Sequence, residues 1–277
     1  MRRITLPGAL AALLACATAC NLDTSEPPQL TAEARTSADV ALAAGNGITE
    51  DVTLLQLNEA SAAGTTASAA AAAPSLDWAA AGACTYDGGS GRFQCPVLTD
   101  GGLTLTRSYA LFDASGQPQS TYDASTTASA NFRAAVSGTV QRPDWTATVT
   151  RQRDATVTGL AGAETRRTWN GTAQSTLSGA SYGSTAGGVQ RSYDLQETGE
   201  LADVVVALPR RDHPWPLSGT ASRHITGTMT RDGAQTVSRT VERTVTVTFN
   251  GTSIVPLDVG DRHFWLSLAT GGVTPRD

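Results

Sequence analysis

The stretch Ser238 to Asn250, SRTVERTVTVTFN, constrains the fold more than any other part of the chain. Arg239, Val241, Arg243, Val245, Val247 and Phe249 fall on one parity, and Ser238, Thr240, Glu242, Thr244, Thr246 and Thr248 on the other. Period two marks a β-strand, because successive side chains point to opposite faces of a sheet. One face is apolar apart from two arginines. The other is built of hydroxyls, which suit a solvent-facing strand. Thirteen residues at ~3.3 Å each would reach ~43 Å, well beyond the usual strand length.

The same alternation recurs along the second half of the chain. From Leu217 to Arg231 the residues Leu217, Ala221, Ile225 and Met229 share one face, and Ser218, Thr220, Ser222, His224, Thr226 and Thr228 the other. TATVTRQRDATVTG, ETRRTWNGTAQSTLSG and VQRSYDLQETGELADVVVALP read as further strands or hairpins, and HFWLSLATG places Phe264, Leu266 and Leu268 together. Asn170-Gly171 and Asn250-Gly251 have the composition of two-residue hairpin turns, since both residue types tolerate positive φ. The second turn would set Phe249 against Thr252 and Val247 against Ile254. Pro256 would then stand where a backbone donor is needed, so that hairpin should bend or end near it. No helix signal interrupts residues 80 to 277. The expectation for residues 78–277 is a mainly β domain, an antiparallel meander forming a curved sheet or a closed barrel.

Residues 21–77 differ in texture. Residues 21 to about 36, with Pro27 and Pro28, read as a polar tether. From Ser37 the composition turns helical, with a break expected at Asn46-Gly47 and Thr49 as an N-cap ahead of Glu50 and Asp51. Val52, Leu55 and Glu59 do not make a clean apolar stripe, so a short helix is expected. The Ala-rich run ending at Pro74 is low in complexity and reads as a linker.

The chain opens MRRITLPGALAALLACATAC. Arg2 and Arg3 precede an apolar run from Ile4 to Ala15 that is too short to span a bilayer as a helix. It ends in LLAC at Cys16 and ATAC at Cys20. This segment, residues 1–20, resembles the signal peptide and lipobox of bacterial lipoproteins, in which the cysteine becomes the first mature residue and carries acyl chains, palmitate among them. The family's leucine three positions before the cysteine is Leu13 for Cys16; Cys20 has Ala17 there but leads into the polar tether. The resemblance implies an outer-membrane or periplasmic cell-envelope location, with the membrane as partner through the lipidated cysteine. Loss of Arg2 and Arg3 would take the formal net charge from −5 to −7, which disfavours nucleic-acid and anionic-lipid surfaces.

An exported chain meets an oxidising compartment, where disulfides persist. Cys84 and Cys95 flank the turn-forming DGGSG. If Tyr86 faces Phe93 in a hairpin, Cys84 faces Cys95 in the same register, within disulfide reach. Closing so short a loop is worth about 3 kcal/mol in the chain-entropy model.

Motifs for chemistry are few. All 20 basic residues are arginine, so Schiff-base and Walker lysine chemistry has no residue to use. GASYG matches a nucleophile elbow around Ser181, but STAGGV follows where a helix should start. His213 stands beside Asp212, and His263 lies two residues after Asp261. Strand spacing could bring His224 and His263 onto adjacent strands, yet no pair has the local spacing of a metal site. LPRRDHPWPL gathers Arg210, Arg211, His213 and Trp215 among three prolines. It is either a rigid ligand-binding loop for an anionic or sugar-like group or a crossover whose Trp215 caps the sheet. A non-enzymatic, membrane-anchored envelope lipoprotein is expected, acting as a structural or binding module without a cofactor or metal. The alternative is a lipocalin-like carrier of an apolar ligand, with a hydrolase third.

Overall fold

In the computed structural model the described residues are 32–62, 84–100, 102–142, 145–181, 190–232 and 236–276. They form one helix and fourteen strands. The helix is α1 (Ala32–Ala62). The first strands are β1 (Thr85–Asp87), β2 (Arg92–Gln94), β3 (Leu98–Asp100), β4 (Leu103–Asp113) and β5 (Pro118–Gln119). Six long strands follow: β6 (Thr127–Arg142), β7 (Trp145–Thr158), β8 (Arg166–Ser181), β9 (Gln190–Ala207), β10 (Ser218–Asp232) and β11 (Val237–Thr248). Three short ones, β12 (Ile254–Val259), β13 (Arg262–Ser267) and β14 (Val273–Pro275), complete the sheet.

All fourteen strands belong to one antiparallel sheet in the order β1-β2-β4-β6-β7-β8-β9-β10-β11-β12-β13-β14, with β3 and β5 beside β4. From β6 to β14 each strand pairs with the next in sequence, which is the meander expected from the alternation. The sheet is curved and does not close: among the described residues nothing pairs β14 with β1.

The registers carry one parity across the whole sheet. Leu111 faces Ala130, Ala130 faces Val157, and Val157 faces Trp169. Ala221 then faces Leu201 and Val247, and Leu257 faces Val247 and Phe264. These residues are all buried and, with the apolar side of α1, form one core cluster. The opposite parity is hydroxyl-rich: Thr220 faces Thr248, Ser222 faces Thr246, and Thr150 faces Thr176. The expected inward placement of Val245, Val247, Phe249, Phe264, Leu266 and Leu268 is observed.

α1 lies on this inner face. Its buried positions among the described side chains are Ser37, Val40, Ala41, Ala44, Gly45, Gly47, Ile48, Asp51, Val52 and Leu55, a continuous stripe at helical spacing. The expected break at Asn46-Gly47 does not occur. Small residues let the helix sit close to the sheet, and Gly45 abuts Leu266 and Val273, where a Cβ would come within 2.9 Å and 3.1 Å of their side chains. Contact with the sheet stabilises helix here in spite of the weak propensity of Asn46 and Gly47. α1 is therefore far longer than the short helix anticipated, and it belongs to the same packed body as the sheet. The end of the expected tether, residues 32–36, and the start of the expected Ala-rich linker, residues 60–62, are helical in α1; the rest of both lies outside the described residues.

Two turns are also corrected. Asn170-Gly171 sits inside β8, not at a hairpin tip. The register with β9 shifts there, from Trp169 facing Val204 to Gly171 facing Leu201. The side-chain oxygen of Asn170 accepts the Asp203 backbone N–H at 2.9 Å, and Asp203 adopts a positive φ of 51°, so asparagine serves a bulge on the neighbouring strand. Asn250-Gly251 does lie in a turn, with Gly251 at φ 82°, but Val247 faces Leu257 and not Ile254. Phe249 is held inward by its N–H to Gly219 O, 3.0 Å, which lengthens the loop. Pairing between β11 and β12 runs only from Leu257 to Val259, so it lies beyond Pro256 and not, as expected, between the turn and Pro256.

Candidate functional site

Charged residues also stand on the inner parity. Arg107 of β4 faces Ala134, which faces Arg153 of β7. Glu197 of β9 faces Ile225, and Arg223 of β10 faces Gly199. Opposite them α1 presents Asp51. Arg223 and Asp51 are 1% and 3% exposed, Arg153 and Glu197 16% and 21%.

These four make one ion network between helix and sheet. Asp51 bridges the guanidinium groups of Arg153 and Arg223, one carboxylate oxygen to each. The Nε of Arg223 lies 2.7 Å from a Glu197 carboxylate oxygen, a second ion pair. Ser175 Oγ donates to the other Glu197 oxygen at 3.1 Å, and Arg153 Nη2 donates to Gly47 O at 3.4 Å. Two positive and two negative groups compensate one another away from water, which buried charge requires. The backbone makes room for them. A Cβ at Gly199 would fall on the Arg223 guanidinium, so glycine there opens the slot, whereas one at Gly47 would only touch Glu197, at 3.4 Å.

Beside the network lies a cavity of about 70 Å³, bounded by Asp51, Leu55, Tyr109, Phe132, Leu201 and the Cys84–Cys95 bridge, with Arg107, Arg153 and Arg223 at its charged end. Tyr109 and Phe132 belong to a row of rings that crosses the inner face. Tyr86 to Phe93 is 5.1 Å between centroids, Phe93 to Tyr109 4.5 Å and stacked, Tyr109 to Phe132 6.0 Å, and Phe132 to the fully buried Trp169 5.7 Å. Burial raises the Tyr109 phenol above its ordinary pKa and lowers the Arg107 guanidinium below its own. The cavity has room for a few waters and is far smaller than the ~300–1,000 Å³ of a typical ligand pocket. Among the described residues no histidine and no free thiol lines it; its hydroxyl and carboxyl groups come from Ser108, Tyr109, Thr172 and Asp51. The groove on the outer face, about 400 Å³, is polar and open around Gln152, Gln174 and the Arg133–Asp154 pair at 2.8 Å.

The residues singled out from sequence fall as follows. Cys84 and Cys95 are bonded, and Tyr86 faces Phe93 as expected. Cys16 and Cys20 lie outside the described residues. The loop residues Arg210, Arg211, His213 and Trp215 do not converge: Trp215 packs on the core cluster, Arg211 and His213 are exposed, and Arg210 Nη1 donates to His213 O at 3.4 Å. Arg211 pairs with Asp212 at 3.4 Å on the surface. His224 and His263 are not on adjacent strands, because β11 and β12 stand between β10 and β13. His224 lies 3.3 Å from Thr244 Oγ1. His263 contacts Asp258 at 2.6 Å across the β12–β13 hairpin, not the Asp261 near it in sequence, and Asp258 also pairs with Arg276 at 3.2 Å. No group of three or more potential metal ligands forms among the described residues. Ser181 is the last residue of β8, opposite Trp145 and Arg191.

The ion network was not singled out from sequence. Its signal is parity: Arg153 stands on the side of Val149 and Val157, and Arg223 on the side of Ala221 and Ile225, so each interrupts an apolar row. Comparison with known protein families, characterised proteins and solved structures yields no match. The functional reading therefore stands on this chain's own residues and geometry.

Proposed function

We propose that this chain is an exported, lipid-anchored protein of the bacterial envelope whose β domain acts without catalysis, as a structural or binding module. The observation that carries the reading is the Cys84–Cys95 bridge, the bond expected of an oxidising compartment, in a chain that opens with a basic n-region, a short apolar run and a lipobox-like cysteine. The inner face supports the structural side of the reading. It is occupied by α1 and ion-paired at its centre, in place of the empty apolar chamber a carrier of the lipocalin kind needs. Cys16 or Cys20 then holds the acyl chains. Labelling cells with a fatty-acid analogue tests the anchor: the native chain takes up label and sediments with membranes, and a Cys16→Ala, Cys20→Ala double variant does neither. A double variant that still sediments with membranes places the anchor elsewhere.

A further inference from the structure

β11 is paired unequally on its two sides. Towards β10 every residue from Val237 to Thr248 has a partner. Towards β12 only Val245, Thr246 and Val247 do. Continuing that register sets Gly260, at the tip of the β12–β13 hairpin, level with Thr244. From Val237 to Arg243, among the described residues, no strand lies alongside, so a seven-residue edge stays open. Val237 on this edge is one of the few large apolar side chains left exposed, at 44%. An open edge offers alternate backbone N–H and C=O groups as a template for another strand.

We infer that this edge pairs with its own copy in a second chain, joining two sheets antiparallel about a two-fold axis at Thr240. The register follows from sequence and faces. Across such an axis each residue meets one of its own parity, so that the inner faces stay continuous. With Arg239 on the axis, arginine meets arginine. With Val241 there, Arg239 meets the partner's Arg243. With Glu242 there, glutamate meets glutamate. Like charges directly opposite destabilise a pair. Thr240 on the axis avoids all three: Val237 meets the partner's Arg243, Ser238 the partner's Glu242, and Arg239 the partner's Val241. This register also uses the whole gap, because residues 237 to 243 of one chain then fill the space up to the other chain's β12–β13 tip. About six to eight backbone hydrogen bonds result from seven antiparallel pairs. Inward charges usually guard an edge against stray strands. Of the two inward arginines, Arg243 is already held by Glu33 of α1 at 3.7 Å and by the Glu242 carbonyl at 2.9 Å, and in this register neither it nor Arg239 faces a second arginine.

Cysteine cross-linking of the full chain tests the register. Thr240→Cys places two thiols at the axis, and mild oxidation yields a dimer on a non-reducing gel. The native chain and Thr228→Cys, whose site lies beside Thr240 on β10 and away from the edge, stay at background. Ser238→Cys and Glu242→Cys cross-link when mixed and not alone. Thr240→Arg sets like charges at the axis on the solvent side. It leaves the circular dichroism unchanged and weakens dimerisation, read by light scattering, about tenfold. A chain that stays monomeric at every concentration overturns the inference. So does cross-linking at Thr228→Cys equal to that at Thr240→Cys, self-linking of Ser238→Cys, or a dimer indifferent to Thr240→Arg.

Discussion

α1 rests on two unlike seats. Its first half lies on the closing strands of the sheet, where Val40, Ala41, Ala44 and Ile48 join Val245, Val247, Leu257 and Leu266 in a fully buried aliphatic layer. Its second half crosses to the ion network, where Asp51 is gripped by Arg153 and Arg223. The aliphatic seat holds through area and close approach, and such contact tolerates sliding by fractions of an ångström. The ionic seat holds through direction, since a buried carboxylate has few acceptable positions between two guanidinium groups. The first seat supplies affinity between helix and sheet. The second fixes where along the trough the helix stops.

Putting a charge into the aliphatic seat is the most damaging way to break this division. Val247→Asp leaves an unpaired carboxylate in the dry layer, and a cost of several kcal/mol, comparable to the whole stability of a domain, is expected. Urea melting of that variant should show little or no cooperative transition. Taking a charge out of the ionic seat comes next. Arg223→Met removes one of the two guanidinium groups on Asp51 and the one beside Glu197 and should cost about 3–5 kcal/mol, whereas replacing Asp51, Arg153, Glu197 and Arg223 together by apolar residues of similar volume should return most of that loss. If the fourfold variant melts no better than Arg223→Met, the seat stabilises by more than mutual compensation. Gly199→Ala pushes a methyl group into the Arg223 slot and should cost about 1–3 kcal/mol. In an Arg223→Met background the same change should cost less, and a double-mutant cycle reads the difference. Thr246→Asp, on the hydroxyl face of the strand that carries Val247, should shift the melt by less than about 0.5 kcal/mol. A larger effect would mean that the outer face is covered as well.

The strands were legible because their signal is local. Val245, Val247 and Phe249 alternate with threonines, and any sheet with one buried face reads that pattern in the same way. α1 was harder, because in its buried stripe Val40, Ile48, Val52 and Leu55 are interspersed with Ser37, Ala41, Ala44 and Gly45, residues that mark close approach more than hydrophobicity. Asn170-Gly171 misled for a related reason. A turn and a bulge ask the same of asparagine, and the choice was made by Asp203, more than thirty residues away. Arg223 belongs to the same class, since its environment needs Gly199 on one strand and Asp51 on a helix. Cys84 and Cys95 were legible because both partners sit in one hairpin.

The placement of α1 also sets an order of events. Every strand from β6 onward pairs with its neighbour in sequence, so the sheet grows by short-range steps as the chain becomes available, N-terminus first. α1 is among the earliest segments, yet its aliphatic seat includes Leu266 and Val273 near the other end of the chain. The helix therefore waits, undocked, until nearly the whole sheet exists. Closing a loop of more than two hundred residues is the slow, long-range step of an otherwise local assembly. During that wait the aliphatic trough is uncovered, which makes the interval before docking the one in which this chain most needs a chaperone.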